Sequence, residues 1–230
     1  MTTAPPHRAL RVRPWSVDPA TAHLVPYATR PITAEALRRV LEDLTEAGFE
    51  RVRTAALSPD EQGPFLDVGF EVDEHLHLLA HDLTGLSPPR RPSRLRRARR
   101  RDKPAVLAVD QAAFSPPWRL DAAGLREALV ATPSVHFRVA LVDDAVVGYA
   151  VAGRAASRGY IQRVAVHPDH DGHGLGRELV TDALHWLHRR GARRAVVNTQ
   201  EGNVTALHLY EALGFRPEPV GLDVLGALLR

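Results

Sequence analysis

A chain of 230 residues with 44% hydrophobic content can bury one generous core or two small ones. It has no cysteine, which excludes disulfides, thiolate metal sites and an acyl-cysteine intermediate, and its formal charge is only +3. No N-terminal apolar stretch has the length of a signal peptide or a membrane span, so a soluble cytoplasmic protein is expected.

The first 31 residues hold six prolines and give little periodic signal except around His23 to Tyr27. Thr33 then caps a helix whose apolar face is Ala36, Leu37, Val40, Leu41 and Leu44, ending at Gly48. A short strand over 51–57, a turn at SPDEQG, the segment PFLDVGF and an alternating strand around His75 to Leu79 follow. Residues 83–92, rich in Pro, Ser and Gly, read as a linker. A basic strand at 95–99, a helix over 104–114 and a helical segment over 121–131 come next. A hairpin then pairs 135–142 with 145–152 across Asp143 and Asp144.

Basic residues cluster in RRPSRLRRARRRDK, 90–103, where Asp102 is the only acid and Lys103 the sole lysine of the chain. A nucleic-acid or ribosome contact is conceivable there. No aromatic residue interleaves to stack on bases, so a solvated linker and edge strand is the preferred reading.

The stretch YIQRVAVHPDHDGHGLGRELVTDALHWLHRRG organises the rest. A β-branched run, 160–166, stops at Pro168, and helical spacing begins at Gly174 with Leu175, Leu179, Val180, Ala183, Leu184 and Leu187. Strand, glycine loop, helix is an order with a chemical use. The first turn of a helix leaves amides unpaired at the positive end of the macrodipole, and glycines let an anion come close. The spacing of DGHGLG is that of neither a P-loop nor a Rossmann loop. A pyrophosphate cradle and a plain turn both fit it.

One phrase occurs twice. EDLTEAGFERVRTAAL followed by FLDVGF lines up with HWLHRRGARRAVVNTQ followed by LYEALGF, setting Gly48 against Gly191 and Gly69-Phe70 against Gly214-Phe215. The pattern predicts a duplicated unit of helix, strand, helix, strand. Pro31 stands where the first copy would need its glycine loop, so that copy should not hold a pyrophosphate.

On QRVAVHPDHDGHGLGRELV and NTQEGNVTALHLYEALGF, in that order and separation, residues 94–230 resemble the GNAT superfamily of acetyl-CoA-dependent N-acetyltransferases. The resemblance implies an α/β (α+β) fold, a mixed and mostly antiparallel central sheet flanked by helices. A GNAT domain over 89–230 would follow a degenerate, partial GNAT-like unit over 1–88. The family's pyrophosphate pattern lands on Asp171, Gly172, His173, Gly174, Leu175 and Gly176, with Asp171 departing from it. The amides of His173 to Arg177 would hold the phosphates. By the same resemblance the backbones of Val164 and Val166, with Ala165 between them, would meet the pantetheine arm where strands splay apart, and a backbone N–H near Val166 would meet the oxyanion. Asn203 would contact the cofactor. Tyr210 would be the general acid that protonates the departing thiolate as the tetrahedral intermediate collapses. Transfer would be direct, in a ternary complex with acetyl-CoA as co-substrate.

Other readings of the same residues stay open. Leu207, Tyr210, Leu213 and Phe215 also suit the buried face of a short helix, and Asn203 also suits an N-cap. In the ribosomal-protein alanine N-acetyltransferases, which this half is similar to, a glutamate stands where this chain has Asn198, leaving Glu201 or a water chain as the base. His167, His170 and His173, with Asp169 and Asp171, invite a metal reading, but a polar rim beside the cofactor is preferred and no metal is expected. The expected activity is acetyl transfer to a primary amine on a small molecule or protein N-terminus, with no membrane partner and a homodimer left open. The alternative is a catalytically silent acyl-CoA sensor or an Arg-rich module docking on RNA or the ribosome.

Overall fold

A computed structural model describes residues 9–15, 18–26, 31–89 and 93–229. Arg90, Arg91 and Pro92 of the basic run, and Tyr27, lie outside the described residues. The chain divides into two compact units. The first comprises 1–77, 200–202 and 219–230, and the second 78–199 and 203–218. The division falls after His77, and the last segment groups with the N-terminal unit.

In the first unit, strands β1 (Leu10–Trp15) and β2 (Asp18–Pro26) form an antiparallel hairpin, and β2 pairs in parallel with β3 (Arg51–Thr54). Low periodicity hid this hairpin: its second strand alternates Thr, Ala and His with few large apolar residues, yet Ala22 and Leu24 are fully buried. Between β2 and β3 runs α1 (Ala34–Glu46), and Thr33 caps it by accepting from the Ala36 amide at 3.2 Å. The expected turn at SPDEQG is instead the start of helix α2 (Pro59–Leu66). Ser58 and Glu61 close a capping box with Pro59 in the first turn, a pattern that initiates helices as readily as turns.

Strand β4 (Glu71–His81) and the C-terminal strand β11 (Leu222–Leu228) complete this sheet, β11 lying between β3 and β4 and antiparallel to both. The β11 strand is fixed from both sides. The Leu225 amide donates to Thr54 Oγ1 at 2.9 Å, and Leu57 and Asp223 exchange backbone hydrogen bonds. Leu10, Leu24, Leu37, Leu44, Phe65 and Leu225 form the core.

His23, on β2, is a pH-sensitive point of this unit. Its Nδ1 is closed off from solvent, and burial, with the charges of Arg13, Arg11 and Arg53 added, lowers its pKa to about 3. The unfolded chain takes up this proton near pH 6.5 and the folded chain only near pH 3, so protonation opposes folding. Stability should be unaffected by this group above pH 6.5 and should fall as pH drops from there towards 3. Denaturant unfolding of His23→Gln should lose that part of the acid limb, and an unchanged limb would reject the assignment.

The second unit is built around β5 (Leu95–Arg97), β6 (Ser134–Val142), β7 (Ala145–Ala155), β8 (Arg158–Val166) and β9 (Arg194–Gln200), in the order β9-β8-β7-β6-β5. All neighbours are antiparallel except β8 and β9. Alternation along the strands gives two buried faces. Val139, Tyr149, Val151 and Ala165 pack with α3 (Lys103–Ala113) and α4 (Ala122–Val130), whereas Ala140, Val147, Ala150 and Val164 pack with α5 (Leu175–Arg189). The short helix α6 (Val204–Glu211) and strand β10 (Arg216–Pro217) follow, β10 pairing with residues 79 and 80 of β4. No described helix is long and apolar enough to cross a membrane.

The repeated phrase folds alike in both places. Gly48, Gly69, Gly191 and Gly214 all take φ between 77° and 92°. The residue after each of these glycines donates back five residues, Phe49 to Leu44, Phe70 to Phe65, Ala192 to Leu187 and Phe215 to Tyr210, at 3.0 to 3.1 Å. This is the helix-ending bond that a left-handed glycine permits. The order α1, β3, α2, β4 thus recurs as α5, β9, α6, β10, and Phe65 stands in the first copy where Tyr210 stands in the second.

Candidate active site

Strand β8 is paired fully on one edge only. With β7 its register runs from Arg158 to Val166, but with β9 it covers only Arg158 to Tyr160. The His167 amide donates to the Val147 carbonyl at 2.8 Å. Antiparallel hydrogen bonding alternates, so Ala165 and Arg163 also face β7, and the backbone groups of Val164 and Val166 are directed at the open edge. Two adjacent backbones are thereby left to pair with an extended ligand.

After β8 the chain makes a single 3-10 turn (Pro168–His170) and reaches the glycine loop. Gly172 and Gly174 have φ of 77° and 74°, and a Cβ built on either meets nothing within 4 Å. Gly174 is the N-cap of α5 and brings no side-chain oxygen to the helix end. Among the described residues, the amides of Gly172, His173, Gly174, Leu175, Gly176 and Arg177 donate to no protein acceptor; the first bonded amide is Glu178, which donates to the Gly174 carbonyl at 3.0 Å. In α1 the corresponding position is Thr33, whose hydroxyl already occupies a first-turn amide. The two helix starts therefore differ in chemistry: one is closed by its own side chain and the other is open to an anion.

Three separated stretches meet at this point. A Cβ on Gly176 would lie 3.2 Å from Leu209 Cδ2 and 4.0 Å from Val166 Cγ2, so the first turn of α5, the end of β8 and α6 are in contact. Leu175 is buried, and the exposed Arg177 reaches the Ala212 carbonyl at the end of α6 with its Nη2 at 3.2 Å. Asp171 is exposed at the loop entrance. Asn203 caps α6 through Oδ1, which accepts from the Ala206 amide at 3.1 Å, leaving its amide nitrogen available.

Tyr210 is 6% exposed and packs at 5.5 Å against Phe215 in the same core cluster as Ile161, with Val164 packed against that cluster. Its hydroxyl bonds no described residue. Burial pushes its pKa up to about 12, opposed in part by the charge of Arg163. Among the described residues, no three His, Asp or Glu side chains gather in a form that could hold a metal ion.

Sequence reasoning missed the polar network on the other face of β8. Asp110, fully buried on α3, accepts from Tyr149 Oη at 2.5 Å, from Arg163 Nε at 2.8 Å and from the Leu120 amide at 2.6 Å. Arg163 also donates to the Trp118 carbonyl at 2.6 Å, and its guanidinium lies 3.6 Å above the Phe114 ring. The network ties the segment 114–120 to β8 beside the open edge. A lone Asp within the helical pattern of 104–114 gives no warning of this, because its partners lie 39 and 53 residues away.

The profile of the acetyltransferase (GNAT) family matches residues 103–215, the stretch that holds the open strand edge, the glycine loop and α6. These residues belong to the GNAT family of acetyltransferases. A putative [ribosomal protein bS18]-alanine N-acetyltransferase of Bacillus subtilis is 26% identical over 123 residues, covering 54% of this chain and 80% of that protein. A mycothiol acetyltransferase of Rhodococcus jostii is 32% identical over 130 residues, 50% of this chain, but the match spans only 42% of that longer relative. In fold, a tandem GNAT protein from the clavulanic acid biosynthesis pathway superposes with a TM-score of 0.66 at 17% identity, covering 92% of this chain and 76% of the other. Residues 103–215 thus carry a GNAT acetyltransferase domain, and the chain shares its overall fold with a tandem GNAT protein.

Proposed function

We propose that the chain transfers an acetyl group from acetyl-CoA to a primary amine in the cytoplasm, by direct attack in a ternary complex. The observation that carries this reading is the run of unpaired amides from Gly172 to Arg177, with Gly172, His173 and Gly174 exposed and Gly176 beside Val166 at the end of β8. A diphosphate fits such a cradle, since it satisfies several orphan donors at the positive end of α5. Acetyl-CoA would supply the activated acyl group. The amides of His173, Gly174, Leu175, Gly176 and Arg177 hold the phosphates, with Asp171 and Gly172 at the entrance. The backbones of Val164 and Val166, flanking Ala165, align the pantetheine arm along β8, and Asn203 adds its free amide nitrogen.

In this reading a backbone N–H near Val166 stabilises the charge that grows on the acyl oxygen. Tyr210, kept protonated by its burial, gives its proton to the departing thiolate. The acceptor is a small molecule or a protein N-terminus, in keeping with the N-acetyltransferase names among the relatives. We also propose that residues 1–88 are a degenerate GNAT-like unit without a cradle: Thr33 caps its helix, and Phe65 has no hydroxyl where Tyr210 has one.

Calorimetric titration with acetyl-CoA, followed by assay against amines of both kinds, tests the proposal. Saturable binding and turnover are expected. Binding without turnover on any amine would favour a sensor, and no binding at millimolar ligand would reject the reading.

A further inference from the structure

Gly172 and Gly174 sit at positive φ, where glycine imposes little preference of its own, so contacts made to the loop's carbonyls set the orientation of its peptide planes. Arg94, just before β5 and 79 residues earlier in the chain, supplies such a constraint: its Nη2 donates to the His173 carbonyl at 3.1 Å. In a trans peptide the C=O and the next N–H point in opposite directions. Holding the His173 carbonyl towards Arg94 therefore turns the Gly174 N–H away from it. The next plane is fixed in the same manner by α5 itself, because the Glu178 amide holds the Gly174 carbonyl and so directs the Leu175 N–H.

Arg94 is itself immobilised. Glu178 Oε2 accepts from its Nε at 3.2 Å, and Glu178 Oε1 accepts from the Arg94 amide at 2.8 Å and from Ser93 Oγ at 2.9 Å. The Glu178 side chain is 5% exposed and that of Arg94 25%, so the clasp is partly shielded from water. It has an electrostatic side as well. Glu178 is a buried carboxylate in the first turns of α5, and the Arg94 guanidinium compensates a charge that would otherwise repel an incoming dianion.

We infer that Arg94 is a positioning residue for the phosphate cradle, aligning the His173–Gly174 peptide so that the Gly174 N–H meets the diphosphate. This rests on the acetyl-CoA reading above. Arg94 touches neither ligand nor reacting atoms; it acts through the loop. A lysine does not replace it, because one ammonium lacks the planar fork that addresses Glu178 and the His173 carbonyl at once.

The test uses the full chain, with CoA as calorimetric ligand and S-acetylpantetheine, which has no diphosphate, as a second acyl donor. Arg94→Ala should raise the Kd for CoA about 10-fold, the loss of one charge-assisted hydrogen bond. The KM for acetyl-CoA should rise with it while kcat holds, and kcat/KM with S-acetylpantetheine should stay unchanged. If Arg94→Ala does not fold, Arg94→Lys carries the same comparison and should show the same CoA-selective loss. Equal Kd for CoA in wild type and variant would overturn the inference and leave the acetyl-CoA reading intact. An equal loss with both donors would overturn it too, by assigning Arg94 to general stability. A wild-type chain that fails to bind CoA would overturn the underlying reading instead.

Discussion

Tyr210→Phe is expected to lower kcat by about 100-fold or more, the range that a positioned general acid contributes, with the Kd for acetyl-CoA nearly unchanged. The fold should tolerate the change. The hydroxyl bonds no described residue, and the first copy of the repeat already places a phenylalanine at this position, with Phe65 5.3 Å from Phe70 where Tyr210 is 5.5 Å from Phe215. A loss of rate without loss of stability or affinity would locate the effect in proton donation. Because burial raises the phenol to about 12, it stays protonated across the working range, and kcat should carry no alkaline limb from this group. An unaltered kcat in Tyr210→Phe, measured under saturating acetyl-CoA, would show that the thiolate takes its proton elsewhere.

Gly174→Val should abolish tight acetyl-CoA binding. Two costs combine. At φ 74° a β-branched residue is strained, by roughly 1–2 kcal/mol for the left-handed conformation. Its Cβ and methyl groups would also project into the open space over the loop, where the bound phosphates would lie, costing charge-assisted hydrogen bonds of about 1.5–3 kcal/mol each. Loss of two such bonds corresponds to a Kd raised about 100-fold or more. The backbone strain should lower Tm by only several degrees, since no protein atom is displaced. Calorimetry that returned a wild-type Kd would mean that the ligand, if any, does not approach this helix end.

Much of the site was readable from local signals because its parts are local devices. A glycine with positive φ, a strand ended by proline and a helix with an uncapped start are each written within a few residues, and α5 begins at Leu175, directly after the Gly174 at which the helical spacing sets in. The same holds for the repeat, whose four left-handed glycines sit at the helix ends where the alignment set them. Ser58 to Gly63 misled because Ser, Pro, Asp and Gly serve turns and helix N-termini equally, and only the reciprocal bonds of Ser58 and Glu61 decide between them. The β1–β2 hairpin was illegible for another reason: its burial comes from partners in β3 and α1, not from an apolar stripe of its own.

The sequence by itself determined the glycine loop, the capped helices and the duplicated phrase, since each depends on backbone preferences and spacings within short stretches, whereas the candidate acid was named by the family resemblance. Only the tertiary structure decided the rest. The splay of β8 from β9 ends a ladder between strands far apart in sequence. The last strand is enrolled in the N-terminal sheet, Asp110 is buried against Tyr149 and Arg163, and Arg94 is clasped to Glu178 and His173. These are pairings over tens of residues, and a charged side chain in a sequence does not name the partner that its burial will require.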